Sequence, residues 1–352
     1  MKKITFIELN PPFFITILGQ TTLSNTKMPF WGSVYPDGNE KYKKQQELTK
    51  ITDEEYKDMF KVPPLKWYAI IHQIICFVVF LGPIRLLVGL VMFFICGTLI
   101  QIIRYCVRLF GLEFDTGKRF CIRIANVAFR FLLFASGIIY IKTNGQFDEE
   151  ARFVISNHVS VFDSFILLLI HPMTPAIKSE VQKVNYLKYI LENVDPVFVS
   201  RDQAHGHSQE LLDRANDKRR FPVLTFPEGT ISGSQNLLRF RKGAFLSDYK
   251  VQPITYKFLM PLVPKGWNTF VWHRFSLWRH IWNLISMPFC VIVVDFLKPI
   301  RKSVEGKGDV EQFAIAAQLQ MANFLGLKAV DRTSHDLFVK KPQPEAGKEK
   351  VQ

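Results

Sequence analysis

Between Trp67 and Ile103 the chain carries two uncharged apolar runs, Trp67–Ile84 and Leu86–Ile103, divided only by Arg85. Each run has 18 residues. As a helix each reaches about 27 Å, close to the ~30 Å hydrocarbon core of a bilayer. Two such runs in succession are uncommon in a soluble domain. Gly82-Pro83, just before Arg85, is a natural place for a helix to break. Two geometries fit: a membrane helical hairpin with Gly82-Pro83 at its tip, or a single span, Leu86–Ile103, behind an interfacial helix. Lys57, Lys61 and Lys66 on one flank and Arg104 and Arg108 on the other favour both outer ends on the cytosolic side. Arg85 is tolerated if its guanidinium reaches the headgroups. The competing reading is a buried hairpin in a soluble bundle. Leu112–Ile141 then reads as one amphipathic helix whose basic face (Lys118, Arg119, Arg123, Arg130) suits an anionic membrane surface or plain solvent.

Composition narrows the partners. The chain has 352 residues, 45 Lys and Arg against 31 Asp and Glu, and 48 % hydrophobic residues. That apolar content excludes a wholly disordered chain and can supply a large core. The net charge of +14 would suit nucleic acid, but no recognition motif accompanies it. The basic residues travel with apolar segments, so membrane lipids are the expected partner and nucleic acid is not. The five cysteines show no CxxC pair and no zinc spacing, and no metal is expected. No N-x-[ST] sequon occurs, which fits a chain facing the cytosol.

Four regions follow. Residues 1–66 are irregular and polar; Met1-Lys2-Lys3 hints at a signal peptide, but Glu8 and Pro11-Pro12 interrupt it. Within them, Tyr35–Lys61 reads as a solvated linker or surface helix. Residues 67–110 form the membrane-embedded segment, and 331–352 a disordered basic tail. Residues 111–330 hold the main domain. From Arg152 on, short apolar runs alternate with helical patterns: Phe153–Ile155, Val197–Val199, Val223–Phe226, Val251–Tyr256 and Val291–Val294 as strands, Val161–Ile170 and Asp309–Leu325 as helices, the latter stopped by Gly326. This alternation defines an α/β domain. Trp267–Trp282, rich in Trp, His and Arg, suits a membrane interface or a core insertion.

Chemistry concentrates in four blocks. Asn157-His158-Val-Ser-Val-Phe-Asp163 sits where a buried strand gives way to a helix. A His there projects into the open crevice of an α/β sheet. An Asp in the first turn can turn back, accept a hydrogen bond from the imidazole and stabilise the imidazolium. Ser160-x-x-Asp163 reads equally as a helix capping box. Phe226-Pro227-Glu228-Gly229-Thr230 places a carboxylate at a second strand end, followed by Gly for a tight turn. Arg201 follows Val197–Ser200 and could hold a phosphate bidentately. Phe240-Arg241-Lys242-Gly243-Ala244-Phe245 and Val251-Gln252-Pro253-Ile254 complete the set.

In this order and spacing the blocks resemble the glycerophospholipid acyltransferase family, over roughly residues 60–330. The run Val197-Phe-Val-Ser-Arg201, the Phe-x-Lys-Gly-Ala-Phe run and Val251-Gln-Pro253 are most similar to its lysophosphatidylcholine acyltransferase branch. Ile231 departs from the pattern: many lysophosphatidate acyltransferases have Arg after Glu-Gly-Thr, and the lysophosphatidylcholine branch often has Cys.

The resemblance implies the glycerolipid acyltransferase fold, a mixed central sheet flanked by helices, preceded here by the membrane hairpin or span. It implies acyl transfer from acyl-CoA, a co-substrate and no resident cofactor, to the free glycerol hydroxyl of a lysophospholipid. His158 would be the general base and Asp163 its partner, with no acyl-enzyme. No G-x-S-x-G elbow is present, since Gly206-His-Ser208-Gln-Glu210 lacks the second Gly. Arg201 would bind the glycerol-linked phosphate. Asn157, Glu228, Gly229, Thr230 and Pro253 would shape the substrate site, and Lys242 would meet phosphates of CoA or lipid. Lysophosphatidate or glycerol 3-phosphate are alternative acceptors, and a catalytically inactive lipid-binding or scaffold relative is the alternative of another class. Lys348 and Lys350, near the C-terminus, resemble a dilysine retrieval signal of the endoplasmic reticulum membrane.

Overall fold

A computed structural model describes residues 32–35, 44–61, 64–111, 114–183, 185–199, 204–232, 236–267, 270–272 and 276–337. The strands are β1 (Ser33–Tyr35), β2 (Ile138–Asn144), β3 (Phe153–Ser156), β4 (Thr174–Lys178), β5 (Val197–Val199), β6 (Val223–Thr225), β7 (Asn236–Leu237), β8 (Val251–Met260), β9 (Cys290–Phe296) and β10 (Lys328–Ala329). The helices are α1 (Asp53–Asp58), α2 (Trp67–Val79), α3 (Gly82–Leu109), α4 (Phe114–Ala135), α5 (Asp163–Ile170), α6 (Asn185–Leu191), α7 (Ala204–Asn216), α8 (Leu277–Ile285) and α9 (Val310–Leu325).

Short apolar runs build the main sheet, in the order β2-β9-β8-β3-β6-β4-β5, with β1 added on β8. Every neighbouring pair is parallel except β8 with β9 and β1 with β8. One core joins this sheet to α4 and α5, and a second joins its other face to α7 and α9. The chain is therefore α/β, a mixed sheet flanked by helices, as expected. Strands covered on both faces are apolar at successive positions. That is why β3 and β6 are buried along their whole length and stand out in the sequence.

The expected helix Leu112–Ile141 is instead α4 followed by β2. The break is Gly137, whose φ of +78° favours glycine, and where a Cβ would lie 2.9 Å from Arg85 Nη1 and 3.1 Å from Met287 O. Of its expected basic face, the side chains of Lys118 and Arg119 lie outside those described. The expected linker is bound to the domain over residues 44–61. Gln45 Nε2 donates to Leu327 O at 2.7 Å, and Ala329 N donates to Gln45 Oε1 at 2.9 Å. Thr52 and Glu55 form a capping box that opens α1, and Tyr56 O–H donates to Thr333 O at 2.6 Å. Order thus extends past residue 330, through a 3-10 turn at Ser334–Leu337. The signal-like start and the dilysine-like end lie outside the described residues.

The apolar runs form two helices, with the turn at Leu81 (φ +57°). Gly82-Pro83 opens α3 instead of forming a tip; proline in a first helical turn gives up an N–H that has no partner there anyway. Among the described residues α3 is the one helix long and apolar enough to cross a membrane. The 13 residues of α2 reach about 20 Å, short of the bilayer core.

Arg85 does not reach toward headgroups. It is buried, and it donates to Pro288 O at 3.0 Å from Nη1 and to Ile285 O (3.2 Å) and Met287 O (2.7 Å) from Nη2. These are the orphan carbonyls at and beyond the end of α8, where a cation also meets the helix dipole favourably. Arg104, near the other end of α3, donates to Glu192 Oε2 at 2.7 Å. Both ends of α3 are thus tied to the α/β domain. Its outward side is an apolar stripe at helical spacing that includes Leu87, Val91, Phe94, Ile102, Tyr105 and Leu109. In α2, Gln73 Nε2 donates to Asn283 Oδ1 at 3.1 Å, Trp282 Nε1 donates to Gln73 Oε1 at 2.8 Å, and Ile71, Ile74, Ile75 and Val78 face outward.

Candidate active site

Strands β3 and β6 are parallel neighbours, with Ile155 opposite Thr225. The blocks that follow them therefore leave the sheet at the same carboxyl-terminal edge, where open α/β sheets form their crevices. His158 comes from the first block and Glu228 from the second.

His158 Nδ1 and Asp163 Oδ2 are 2.6 Å apart. In the tautomer this contact selects, Nδ1–H donates to the carboxylate and Nε2 is left with a free lone pair. The His158 side chain is 22 % exposed and the Asp163 side chain fully buried, so the pair presents only its imidazole to the crevice. Phe226 stacks on that imidazole, with ring centroids 4.3 Å apart. Asp163 Oδ2 also accepts from Val159 N at 2.7 Å and Ser160 N at 2.9 Å. The expected capping box is only half formed: Asp163 accepts from Ser160 N, but Phe162 precedes α5 without a side-chain cap bond and the Ser160 hydroxyl accepts from Phe162 N instead. The carboxylate ties down the turn at the start of α5, and the same oxygen holds the imidazole.

Glu228 was expected to shape the substrate site. It is fully buried instead, behind the His158 backbone. Its Oε1 accepts from His158 N at 3.4 Å, and its Oε2 from Ser232 Oγ at 2.5 Å and Leu238 N at 3.1 Å. Burial pushes its carboxyl up to about 7; these three bonds favour the anion, and the Asp163 charge adds to the rise. Asn157, also expected at the substrate site, is 1 % exposed and bonds both ways with the Tyr256 backbone. Pro253 is buried and stands opposite Ile155 within the sheet, because parallel pairing of β3 and β8 sets that register. Gly229 (φ +68°) turns the chain after Glu228, and a Cβ there would lie 2.3 Å from Arg241 Nε. Thr230 is half-buried at this turn. Lys242 is exposed and donates from Nζ to Glu311 Oε2 at 3.0 Å, and Arg239 pairs with the same carboxylate. Arg201 lies outside the described residues. Among the described residues no group of three or more His, Cys, Asp or Glu side chains could hold a metal.

Several supporting contacts join residues that are far apart in sequence. Ser160 Oγ and the buried His280 Nε2 share a 3.2 Å hydrogen bond, and Trp272 N donates to Val159 O at 2.8 Å. Phe226 opens the Phe-Pro-Glu-Gly-Thr block, and its stacking on His158 arises only when β3 and β6 lie side by side. Within Trp267–Trp282, Phe270, Val271 and His280 are buried, while Leu277 and Trp278 are exposed.

Residues 138–257 match the family model Acyltransferase. A lysophospholipid acyltransferase of Mus musculus is 29 % identical over 209 residues, covering 57 % of this chain and 39 % of that protein. Lysophosphatidylcholine acyltransferase 2B of Rattus norvegicus is 28 % identical over 215 residues, covering 59 % and 41 %. A lysophosphatidylcholine acyltransferase of Drosophila melanogaster is 24 % identical over 286 residues, covering 76 % and 52 %. The chain thus spans between 39 % and 52 % of the length of these relatives. The crystal structure of the 1-acyl-sn-glycerophosphate acyltransferase PlsC from Thermotoga maritima superposes with a TM-score of 0.49 at 16 % identity, over 74 % of this chain and all of that one.

Proposed function

With residues 138–257 an acyltransferase-family domain, we propose that the chain is an acyl-CoA-dependent lysophospholipid O-acyltransferase favouring a lysophosphatidylcholine-type acceptor. The observation that carries this reading is the 2.6 Å contact between His158 Nδ1 and Asp163 Oδ2, with the imidazole open to the crevice. In this reading His158 Nε2 takes the proton of the free glycerol hydroxyl as its oxygen attacks the thioester carbonyl carbon of acyl-CoA. Asp163 stabilises the imidazolium that forms. The tetrahedral intermediate collapses, the C–S bond breaks, and the imidazolium returns its proton to the CoA thiolate. A thioester is already activated, so no covalent acyl-enzyme is needed.

The remaining assignments are of two kinds. Arg201 is proposed, from the resemblance, to bind the acceptor phosphate, and Thr230 to border the acceptor. Asn157, Glu228 and Pro253 support the loop and sheet from behind. The apolar stripe on α2 and α3 is proposed to lie in a membrane leaflet. A helix tied to one domain at Arg85 and again at Arg104 supports an in-plane or re-entrant arrangement over a single span. The membrane is proposed to be that of the endoplasmic reticulum, with the site facing the cytosol.

The test uses membranes containing the protein or His158→Ala, labelled oleoyl-CoA, and lysophosphatidylcholine, lysophosphatidylethanolamine, lysophosphatidate or glycerol 3-phosphate offered separately. The expected result is His158-dependent labelling, strongest on lysophosphatidylcholine. Equal labelling by a folded, membrane-bound His158→Ala variant would overturn the base assignment.

A further inference from the structure

Tyr256 is fully buried on β8 and meets the catalytic loop twice. Its backbone is clipped by Asn157: Tyr256 N donates to Asn157 Oδ1 at 3.1 Å, and Asn157 Nδ2 donates to Tyr256 O at 3.3 Å. Its phenol oxygen returns to the same loop and accepts from Val159 N at 3.4 Å. That amide also donates to Asp163 Oδ2, so phenol and carboxylate share one donor and lie side by side. Asp163 Oδ1 is buried and takes no hydrogen bond from a described residue. Asp163 is the anion beside the phenol, and, after burial, a side-chain hydrogen bond to it is among the causes that raise the phenol. A buried carboxylate oxygen without a donor lies beside a buried O–H whose electrostatic partner is that same carboxylate, so one contact satisfies both groups.

We infer that Tyr256 is a positioning residue for the His158–Asp163 pair, its O–H donating to the Asp163 carboxylate at Oδ1 and tempering that carboxylate's hold on the imidazole. The inference rests on His158 being the base of the proposed reaction. Burial, and after it the Asp163 charge, push the phenol well above its ordinary range, so it remains a donor wherever the enzyme works. The other titratable groups facing the pair are Glu228, behind the His158 amide, and His280 of α8, which reaches the loop through Ser160. The Glu228 charge also acts on the phenol and adds to its rise. Without the phenol, Asp163 holds the imidazolium more tightly, and His158 gives up its proton at higher pH.

The experiment reads His158 directly. Full-length protein in detergent is treated with diethyl pyrocarbonate across pH 5 to 9, and modification of the His158 peptide is followed by mass spectrometry. Only the neutral imidazole reacts, so the midpoint reports its titration. Tyr256→Phe should raise that midpoint by about half a unit. Site-specific replacement of Tyr256 by 3-fluorotyrosine, a stronger donor, should lower it. In the transfer assay Tyr256→Phe should lower kcat about tenfold with KM for both substrates little changed. It should also move the acid limb of the pH profile upward. An unmoved His158 midpoint in a folded Tyr256→Phe protein overturns the inference, and so does a 3-fluorotyrosine shift of the same sign as the Phe shift. Should His158→Ala retain full activity, the base reading fails, while the modification midpoints still decide the Tyr256 contact.

Discussion

Glu228 allows a stability prediction that needs no substrate. Its carboxyl sits at about 7 in the folded chain against an ordinary value of 4.5, a rise caused mainly by complete burial. Below pH 4.5 folded and unfolded chains both hold the proton, and the group contributes no difference. Between 4.5 and 7 the folded chain keeps the proton while the unfolded chain loses it, so stability falls as pH rises. Above 7 both forms are ionised and the penalty is complete. A shift of roughly 2.5 units corresponds to about 3 kcal/mol. Glu228→Gln removes this titration. The amide oxygen can accept from Ser232 and Leu238, leaving the NH2 group against His158 N–H, where the original contact is the longest of the three at 3.4 Å. That mismatch is the same at every pH, so it offsets the variant's curve without tilting it. The assay is thermal unfolding of both proteins in detergent from pH 5 to 9. The wild type should lose about 3 kcal/mol relative to Glu228→Gln across this range, or about 4 °C in Tm for a chain of this size. Parallel curves would refute the reasoning, because they would mean that Glu228 titrates alike in the folded and unfolded chain.

Gly229→Ala should destabilise by about 2 kcal/mol, because it combines a left-handed backbone with a Cβ placed against Arg241, and a drop in Tm measures it. Arg85→Met leaves three carbonyls around the end of α8 without their donor; a loss of about 3 kcal/mol is expected, with membrane binding in flotation assays retained. Leu65→Cys and Phe110→Cys, each in a cysteine-free background, mark the outer ends of α2 and α3, and both should be labelled by an impermeant maleimide from the side that labels Lys218→Cys. Labelling of Leu65→Cys and Phe110→Cys from opposite sides would establish a single span.

What could be read from the sequence is what is local. The His158–Asp163 pair lies within one turn, because a helix that begins at Asp163 folds its first carboxylate back over the residues just before it. Strands β3 and β6 declare themselves because burial on both faces leaves them unbroken apolar runs. Strand β4 does not, since Thr174-Pro175 and Lys178 dilute its pattern, and β2 was lost because its opening residues continue the apolar rhythm of α4. The burial of Glu228 and Asn157 has a common cause. Glu228 and Asn157 look like crevice residues because they adjoin crevice residues in sequence. Their partners, Leu238, Ser232 and the Tyr256 backbone, are fixed only once β3, β6 and β8 lie together. Arg85 is the same case at longer range. Hydropathy reasoning sends a guanidinium in an apolar run toward water, but the carbonyls that receive it lie some 200 residues away in sequence. A tertiary contact of this kind changes the sign of the expectation. A polar side chain in an apolar segment marks solvent only when the fold offers it no carbonyl, and here the end of α8 and the residues after it offer three. The same helix reaches Ser160 through His280 and Gln73 through Asn283, so it joins the apolar helices to the loop that carries His158. Loss of Arg85 should therefore register at the proposed active site before it registers in membrane binding.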